Sequence, residues 1–226
     1  MRKTILVIAA HPDDEVIGCG GTLARLSGEG SKISTLILGE GKTSRHAFGK
    51  KSYQKSKLRL LKKEAVRANA LLGVKEILFY DLPDNRFDTI PLLDIIKKIE
   101  DVKARIKPDV VFTHYRNDLN IDHRITYQAA ITAFRPISGE IARELYSFEV
   151  LSSTEWNYPT TFSPNTFFDI AKTLNIKLEA MSSYRSELGN SRHPRSLEAI
   201  NNNASYWGFK SGLKYAEAFE AIRMMR

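Results

Sequence analysis

One cysteine, Cys19, stands in 226 residues. A lone thiol excludes an intramolecular disulfide and a cysteine-based zinc site. Set among glycines and apolar residues, it reads as a small packed side chain. Long apolar runs are missing too: nothing approaches the about 18–20 uninterrupted residues that cross a bilayer, so no transmembrane segment is expected. The start MRKTILVIAA has the outline of a signal peptide. Its apolar part is short, however, and runs into His-Pro-Asp-Asp-Glu, which no signal-peptidase site contains; a cytoplasmic location follows. Repeats, low-complexity tracts and linkers are also absent. One domain over residues 1–226 is expected, with 42% hydrophobic and 27% charged residues, enough for one sizeable core.

Acid is in deficit, with 26 Asp and Glu against 34 Lys and Arg and a formal charge of +8. Such a balance attracts anions: phosphates, nucleotide sugars, nucleic acid or a membrane surface. The basic residues are dense only at 50–63 and 185–195, without the interleaved aromatics of a single-strand binding surface. Nucleic acid is therefore not an expected partner.

Hydrophobic patterning alternates. Lys3–Ala9 is a continuous apolar run, suited to a strand covered on both faces. Ile17–Leu26 follows as a helix, Ile33–Leu38 as a strand, Gly39–Ser52 as a polar site loop, and Tyr53–Leu72 as a helix stopped by Gly73. Glu76–Tyr80, Ile90–Ile106, Asp109–Thr113 and a helix from His123 to about Phe134 continue the alternation. LYSFEV and NTFFDI then read as further strands, and Leu174–Tyr184 and Arg195–Phe209 as helices. The pattern predicts an α/β fold: a mostly parallel sheet with helices on both faces, its C-terminal part adding strands and helices around the site.

In open α/β sheets ligands sit beyond the carboxyl ends of the strands. Three polar clusters fall there: His11–Glu15, Asp81–Arg86 and His114–His123. His11 and Asp14 lie on a turn into a helix and offer imidazole nitrogen and carboxylate oxygen, donors suited to Zn²⁺ and equally to Fe²⁺. A third ligand is available among His114, Asp118, Asp122 and His123. Catalytic zinc keeps a position open for water and lowers its pKa toward about 7; a carboxylate outside the ligand set, such as Asp13, suits a general base. Helix N-capping would explain Asp13 or Asp14, but not both together with His11. His46 and His193 read as loop or surface histidines. The glycines at 18, 20 and 21 come after the acids, out of place for a dinucleotide fingerprint.

The stretch AHPDDEVIGCGGTLARL resembles the opening motif of the PIG-L/LmbE-like N-acetylglucosaminyl de-N-acetylase family. KKEAVRANALLGV is similar to that family's helix ending in Leu-Gly, LPDNRF to its acidic loop, and NDLNIDHRITYQAA to its second metal motif. YRSEL, HPRSLEAI and YAEAF fit as well, so the resemblance spans nearly the whole chain. It implies a Rossmann-like fold, His11, Asp14 and His123 as metal ligands, Asp13 as general base, Asp84 as a substrate-binding acid, and Arg59 or Arg67 contacting the sugar or its phosphate. One departure stands out. The family often has His-x-Asp-His where this chain has Asn120-Ile121-Asp122-His123. Asn120 donates a hydrogen bond but transfers no proton at neutral pH. The acid role then falls to Asp13, serving as base and then acid with Asn120 positioning, or to His114. Asp122 is expected to orient a neighbour, and Glu15 to serve the helix start or support the ligands.

The implied activity is metal-dependent removal of an acyl group, acetyl first, from an amino sugar or its conjugate in cell-surface glycan biosynthesis. The basic balance suits a phosphate-bearing substrate, and a homo-oligomer stays open. Two rivals are hydrolysis of another amide or a phosphoester, and an inactive sugar- or nucleotide-binding module. A single-metal site favours acyl chemistry over phosphoester chemistry.

Overall fold

A computed structural model of the chain describes residues 2–45 and 51–226, with backbone alone at 45 and 51–54. Seven strands form one sheet: β1 (Thr4–Ala9), β2 (Lys32–Gly39), β3 (Glu76–Leu82), β4 (Val110–His114), β5 (Glu144–Phe148), β6 (Thr166–Asp169) and β7 (Ala216–Met224). Their order is β3-β2-β1-β4-β5-β7-β6. The first five run parallel, with Ile5 opposite Ile33 on one side and Val110 on the other. β7 is antiparallel to both its neighbours.

Strand β1 explains the layering. Its side chains alternate between two fully buried faces. Ile5, Val7 and Ala9 enter one core, while Leu6, Ile8 and Ala10 enter the other. The first core is covered by α1 (Asp14–Gly28), α2 (Lys51–Leu71), α5 (Leu174–Ser183) and α6 (Leu197–Ser211). The second is covered by α3 (Leu92–Ile106) and α4 (Ile121–Ala133). Because β2 lies to one side of β1 and β4 to the other, the chain's winding reverses between β1 and β4, which is where a crevice opens in such sheets.

Helix α1 begins three residues earlier than its apolar periodicity indicates, and α4 begins at Ile121 instead of His123, both extended by polar residues that turn into the site. Strand β7 has no counterpart in the sequence reading. Its residues, AEAFEAIRM, are rich in Ala and Glu, which favour helices; tertiary pairing overrides that preference. Glu217 is buried in this strand and accepts from the Gly21 N–H at 2.9 Å, the Thr22 N–H at 2.7 Å and Lys177 Nζ at 2.6 Å. Lys177 Nζ also donates to the Ile17 carbonyl at 2.7 Å. An ion pair from α5 and β7 is thus wedged against one turn of α1. The same turn sits close to the sheet: a Cβ on Gly18 would lie 2.2 Å from the Phe148 ring, and one on Gly21 would lie 2.9 Å from Ile170. At the free margin of the sheet, Lys62 covers the Phe79 ring of β3 at 5.2 Å and Lys98 covers Tyr80 at 4.6 Å.

Removing one partner of a buried pair strands the other, at a cost of about 3–5 kcal/mol. Lys177→Met is expected to lose that much in urea unfolding. Lys177→Met/Glu217→Gln is expected to recover part of the loss, because the amide still accepts the α1 N–H groups without an unpaired charge.

Candidate metal centre and active site

The turn after β1 carries the site. Asp13 occupies the N-cap position of α1 with φ at +103° and makes no capping bond through its side chain. Left-handed backbone at a non-glycine residue is strained, and here it turns the carboxylate inward instead of toward the helix end. Capping therefore does not account for Asp13. Nor does it account for Asp14, whose Oδ2 accepts from the His11 backbone N–H at 2.8 Å.

Three imidazoles close on that same oxygen. Asp14 Oδ2 lies 3.5 Å from His11 Nδ1, 3.3 Å from His123 Nε2 and 3.5 Å from His114 Nε2. Asp14 and His123 are both 0% exposed. Buried polar atoms are ordinarily paired, yet Asp14 Oδ1 and His123 Nε2 have no hydrogen-bond partner. His11, Asp14 and His123 each place a donor atom within 4.8 Å of the others. One carboxylate oxygen and two imidazole nitrogens, with orphaned lone pairs among them, fit a divalent cation.

Neighbouring carboxylates aim the rings. His11 Nε2 meets Asp122 Oδ2 at 2.9 Å and Asp84 Oδ1 at 3.3 Å, which leaves its Nδ1 toward Asp14. His123 Nδ1 meets Asp118 Oδ1 at 3.1 Å. Asp118 is held in turn by Ser153 and by Thr154 Oγ1, the latter at 2.5 Å. Carboxylate behind imidazole fixes the tautomer of a metal-binding histidine. His11, Asp84 and Asp122 form a second close group of donors. Asp122, however, already accepts from the Asn85 and Phe87 N–H groups at 2.7 and 2.9 Å, which assigns it to holding His11.

Charge follows the same design. Burial opposes a charged His11, but hydrogen bonds to Asp122 and Asp14 outweigh it and raise the ring to about 10. His123 behaves alike, burial being outweighed by Asp14 and Asp118, and reaches about 9. Burial raises Asp14, and the surrounding imidazoles bring it well below the carboxylate range. Asp13 goes the other way. Burial pushes it up, Arg195 pulls it back, and Asp14, Glu187 and Glu15 push it further. Burial also raises Glu15 to about 7, against hydrogen bonds from Tyr184 and Asn69. The Glu15 side chain accepts from the Asp13 N–H at 3.1 Å, Asn69 Nδ2 at 2.8 Å and Tyr184 Oη at 2.5 Å. It ties the strained turn to α2 and α5.

A family model described as GlcNAc-PI de-N-acetylase, PIG-L, matches residues 6–134, more than half of the chain. The chain belongs to the PIG-L family. This PIG-L chain is similar to the deacetylase YaiS of Escherichia coli K12, itself described as uncharacterized, at 29% identity over 191 residues, covering 82% of this chain and 92% of the relative. It is similar also to diacetylchitobiose deacetylase of Thermococcus kodakarensis, at 28% over 228 residues, covering 97% and 83%. Among solved structures, the conserved protein TT1542 of Thermus thermophilus superposes with a TM-score of 0.77 at 27% identity, covering 99% and 96%.

Within this PIG-L fold, His11, Asp13, Asp14, Asp84, Asp122 and His123 converge as the motifs imply. His114 is present but differently employed. It is fully buried, its Nε2 accepts from the Ala10 N–H at 2.8 Å, and its ring stacks on His123 at 4.0 Å. Burial and the charge on His123 push its pKa well down. A neutral ring in that setting backs His123 and is not placed to protonate a substrate. Asn120 caps α4, its Oδ1 accepting from the Asp122 N–H at 2.8 Å and its Nδ2 donating to Asn85 at 3.0 Å. Arg59 and Arg67 are not brought to the cluster. α2 buries Leu61, Ala65 and Ala68, and both arginines fall on its exposed side.

The arginine at the site is Arg195. Its NH1 meets Asp13 Oδ2 at 3.0 Å and its Nε donates to Ser152 at 2.7 Å. The signal for it was HPRS directly before a capped helix, Ser196 accepting from the Ala199 N–H at 3.0 Å. Lys42 is a second buried cation, paired with Glu187 and donating to Ser186 at 3.0 Å. Of the polar stretch Gly39–Ser52, Glu40 accepts from the Lys42 N–H at 2.9 Å and the Asp84 N–H at 3.2 Å, closing that loop over the site. His46 lies outside the described residues. His193 is half-buried, its Nδ1 accepting from the Arg195 N–H at 3.0 Å. No helix among the described residues is long and apolar enough to cross a membrane.

Ligand binding only to the folded state raises stability. Adding Zn²⁺ to metal-stripped protein is expected to raise Tm by several degrees. His123→Ala should remove both the shift and the bound ion in equilibrium dialysis; a full Tm shift in His123→Ala would show that the ion binds elsewhere.

Proposed function

We propose that this chain hydrolyses the N-acetyl group of an amino sugar or its conjugate, with a divalent ion, Zn²⁺ or Fe²⁺, held by His11, Asp14 and His123. The observation that carries this reading is Asp13. It is a buried carboxylate beside the three-donor cluster yet outside it, held by Arg195 instead of by the imidazoles. Bound there, the ion supplies Lewis-acid activation of the amide carbonyl and of the attacking water.

The chain's own residues do the proton work. Asp13 accepts the proton of the attacking water as the new C–O bond forms. It then delivers that proton to nitrogen as the C–N bond breaks, giving a free amine and acetate. Burial supports both halves of the cycle, because it lifts the affinity of Asp13 for a proton above that of a solvated carboxylate. Arg195 holds the carboxylate in place through both steps. Asn120 keeps one amide N–H beyond the one given to Asn85, and that N–H serves the developing oxyanion. Asp84, close to His11 and braced by Ser44, accepts a sugar hydroxyl. Arg195 and Lys42, the arginine and lysine described at the site, are each engaged by a carboxylate. That supports a neutral sugar over a phosphorylated one.

Amine release from N-acetylglucosamine conjugates is the assay. Chelation is expected to abolish it, and Zn²⁺ or Fe²⁺ to restore it. Asp13→Asn should bind the same one ion per chain while losing about 10²–10⁴ in kcat. Absence of amine release from every conjugate with metal restored would refute the reading. Asn120→His is expected to add a further ionisation in the imidazole range, about pH 6–7, to those of the parent pH–rate profile.

A further inference from the structure

Beyond β5, on the other side of Thr154 from His123, lies a second cleft of about 380 Å³. It opens at the same carboxyl edge of the sheet, between α6, β6 and the segment 149–164. Thr154 is the partition. It lines the cleft, while its Oγ1 donates to Asp118 Oδ2, and Asp118 Oδ1 meets His123. The volume is within the about 300–1,000 Å³ of small-molecule sites.

The floor is Glu149. Its Oε1 accepts from Trp207 Nε1 at 2.5 Å and Asn203 Nδ2 at 2.8 Å. No described residue hydrogen-bonds Oε2, and the side chain lines the cleft. Burial pushes this carboxyl up, with Asn203 and Trp207 pulling it back. Glu155 adds a second carboxylate to the lining, its oxygens accepting from the Ser152 and Ser153 N–H groups at 2.6 and 3.2 Å. The walls are aromatic. Trp207 packs against Phe162 at 6.0 Å and Phe167 at 6.2 Å, and Tyr206, half exposed, stacks edge-on against it at 4.8 Å.

This chemistry restricts the ligand. Two carboxylates against one lysine, Lys210, disfavour a phosphate or carboxylate. Accepting oxygens require a ligand rich in donors, and exposed ring surface requires apolar C–H faces; a pyranose has both. Lys210 shows that the rim takes a cation, its Nζ standing 5.5 Å from both the Tyr206 and Trp207 rings. At the floor, no described cation hydrogen-bonds Glu149 Oε2: Lys177 pulls on the carboxylate electrostatically, but its Nζ is spent on Glu217 and the Ile17 carbonyl, and an ammonium would supply the direct counter-charge. We infer that this cleft is a second saccharide site, separate from the metal centre, and that it takes a pyranose carrying a free amino group, with Glu149 on the ammonium and Tyr206 against the ring. An N-acetylated sugar offers no charge to Glu149 and is the weaker ligand.

The indole N–H of Trp207 reports on this cleft directly, because it is the proton given to Glu149. Metal-loaded, ¹⁵N-labelled protein is titrated with glucosamine and, separately, with N-acetylglucosamine. The expected result is a saturable shift of the Trp207 indole signal by glucosamine, at least tenfold weaker with N-acetylglucosamine. Glu149→Gln and Tyr206→Ala should each weaken glucosamine at least tenfold while leaving turnover of an N-acetylglucosamine conjugate unchanged. Tyr206→Ala, at an exposed position, decides the matter should Glu149→Gln fold poorly. No saturable shift, equal response to both sugars, or variants binding as the parent does would overturn the proposal. The signal is read at Trp207 and not by turnover, so its failure is distinct from failure of the deacetylase reading.

Discussion

The site depends on one buried oxygen. Asp14 Oδ2 is held by a backbone N–H and faced by three imidazoles, in a place where water cannot screen its charge. An isolated carboxylate there would be intolerable, so the surroundings are built to answer it. His11 and His123 are turned toward it by Asp122 and Asp118, and those acids are pinned by backbone N–H groups and hydroxyls of the neighbouring loops. A divalent cation held by these donors would answer the same carboxylate with its own charge.

Keeping Asp14 in place requires α1 to stay seated. Gly18 lets the helix approach Phe148 at the end of β5, and the Lys177–Glu217 pair engages its next turn. Support for the His11, Asp14 and His123 cluster therefore arrives from α5 and β7, far along the chain from His11. The C-terminal third also delivers Arg195 to Asp13, so that carboxylate is paired with a residue more than 180 positions away.

Much of this was legible beforehand, for physical reasons. A parallel strand buried on both faces is apolar in the main, as TILVIA of β1 shows directly, while β2 and β4 bury a few polar residues among their apolar ones, Ser34, Thr35 and Thr113. Polar residues crowded at the ends of such strands have little structural purpose, which exposed His11–Glu15, Asp84 and His123 as a set. What escaped was decided by contacts distant in sequence. β7 went unread because its composition favours helix while, among the described residues, its glutamates are held by α1, α5, Arg116 and the backbone of Ser163. Arg59 and Arg67 matched a motif, but motif spacing does not say which side of α2 faces inward. Arg195 reads from sequence as the first residue of a helix, whereas α6 starts at Leu197 and leaves Arg195 in the preceding loop, from which it reaches Asp13. His114 had the right residue type in the right cluster, and only the Ala10 N–H shows that its ring is spent on the backbone.

The two margins of the sheet differ in kind. At one end β6, four residues long, offers little backbone to a stranger. At the other, β3 presents seven residues of half-buried EILFYDL, the type of segment on which another chain can add a strand and seed aggregates. Lys62 and Lys98 lie over its two aromatic rings. They cover apolar ring surface with their stems, and Lys62 Nζ also pairs with Asp81 Oδ2 of the same strand at 2.5 Å. Two of the lysines thus have a use unrelated to substrate: they cover the aromatic side chains of an edge strand.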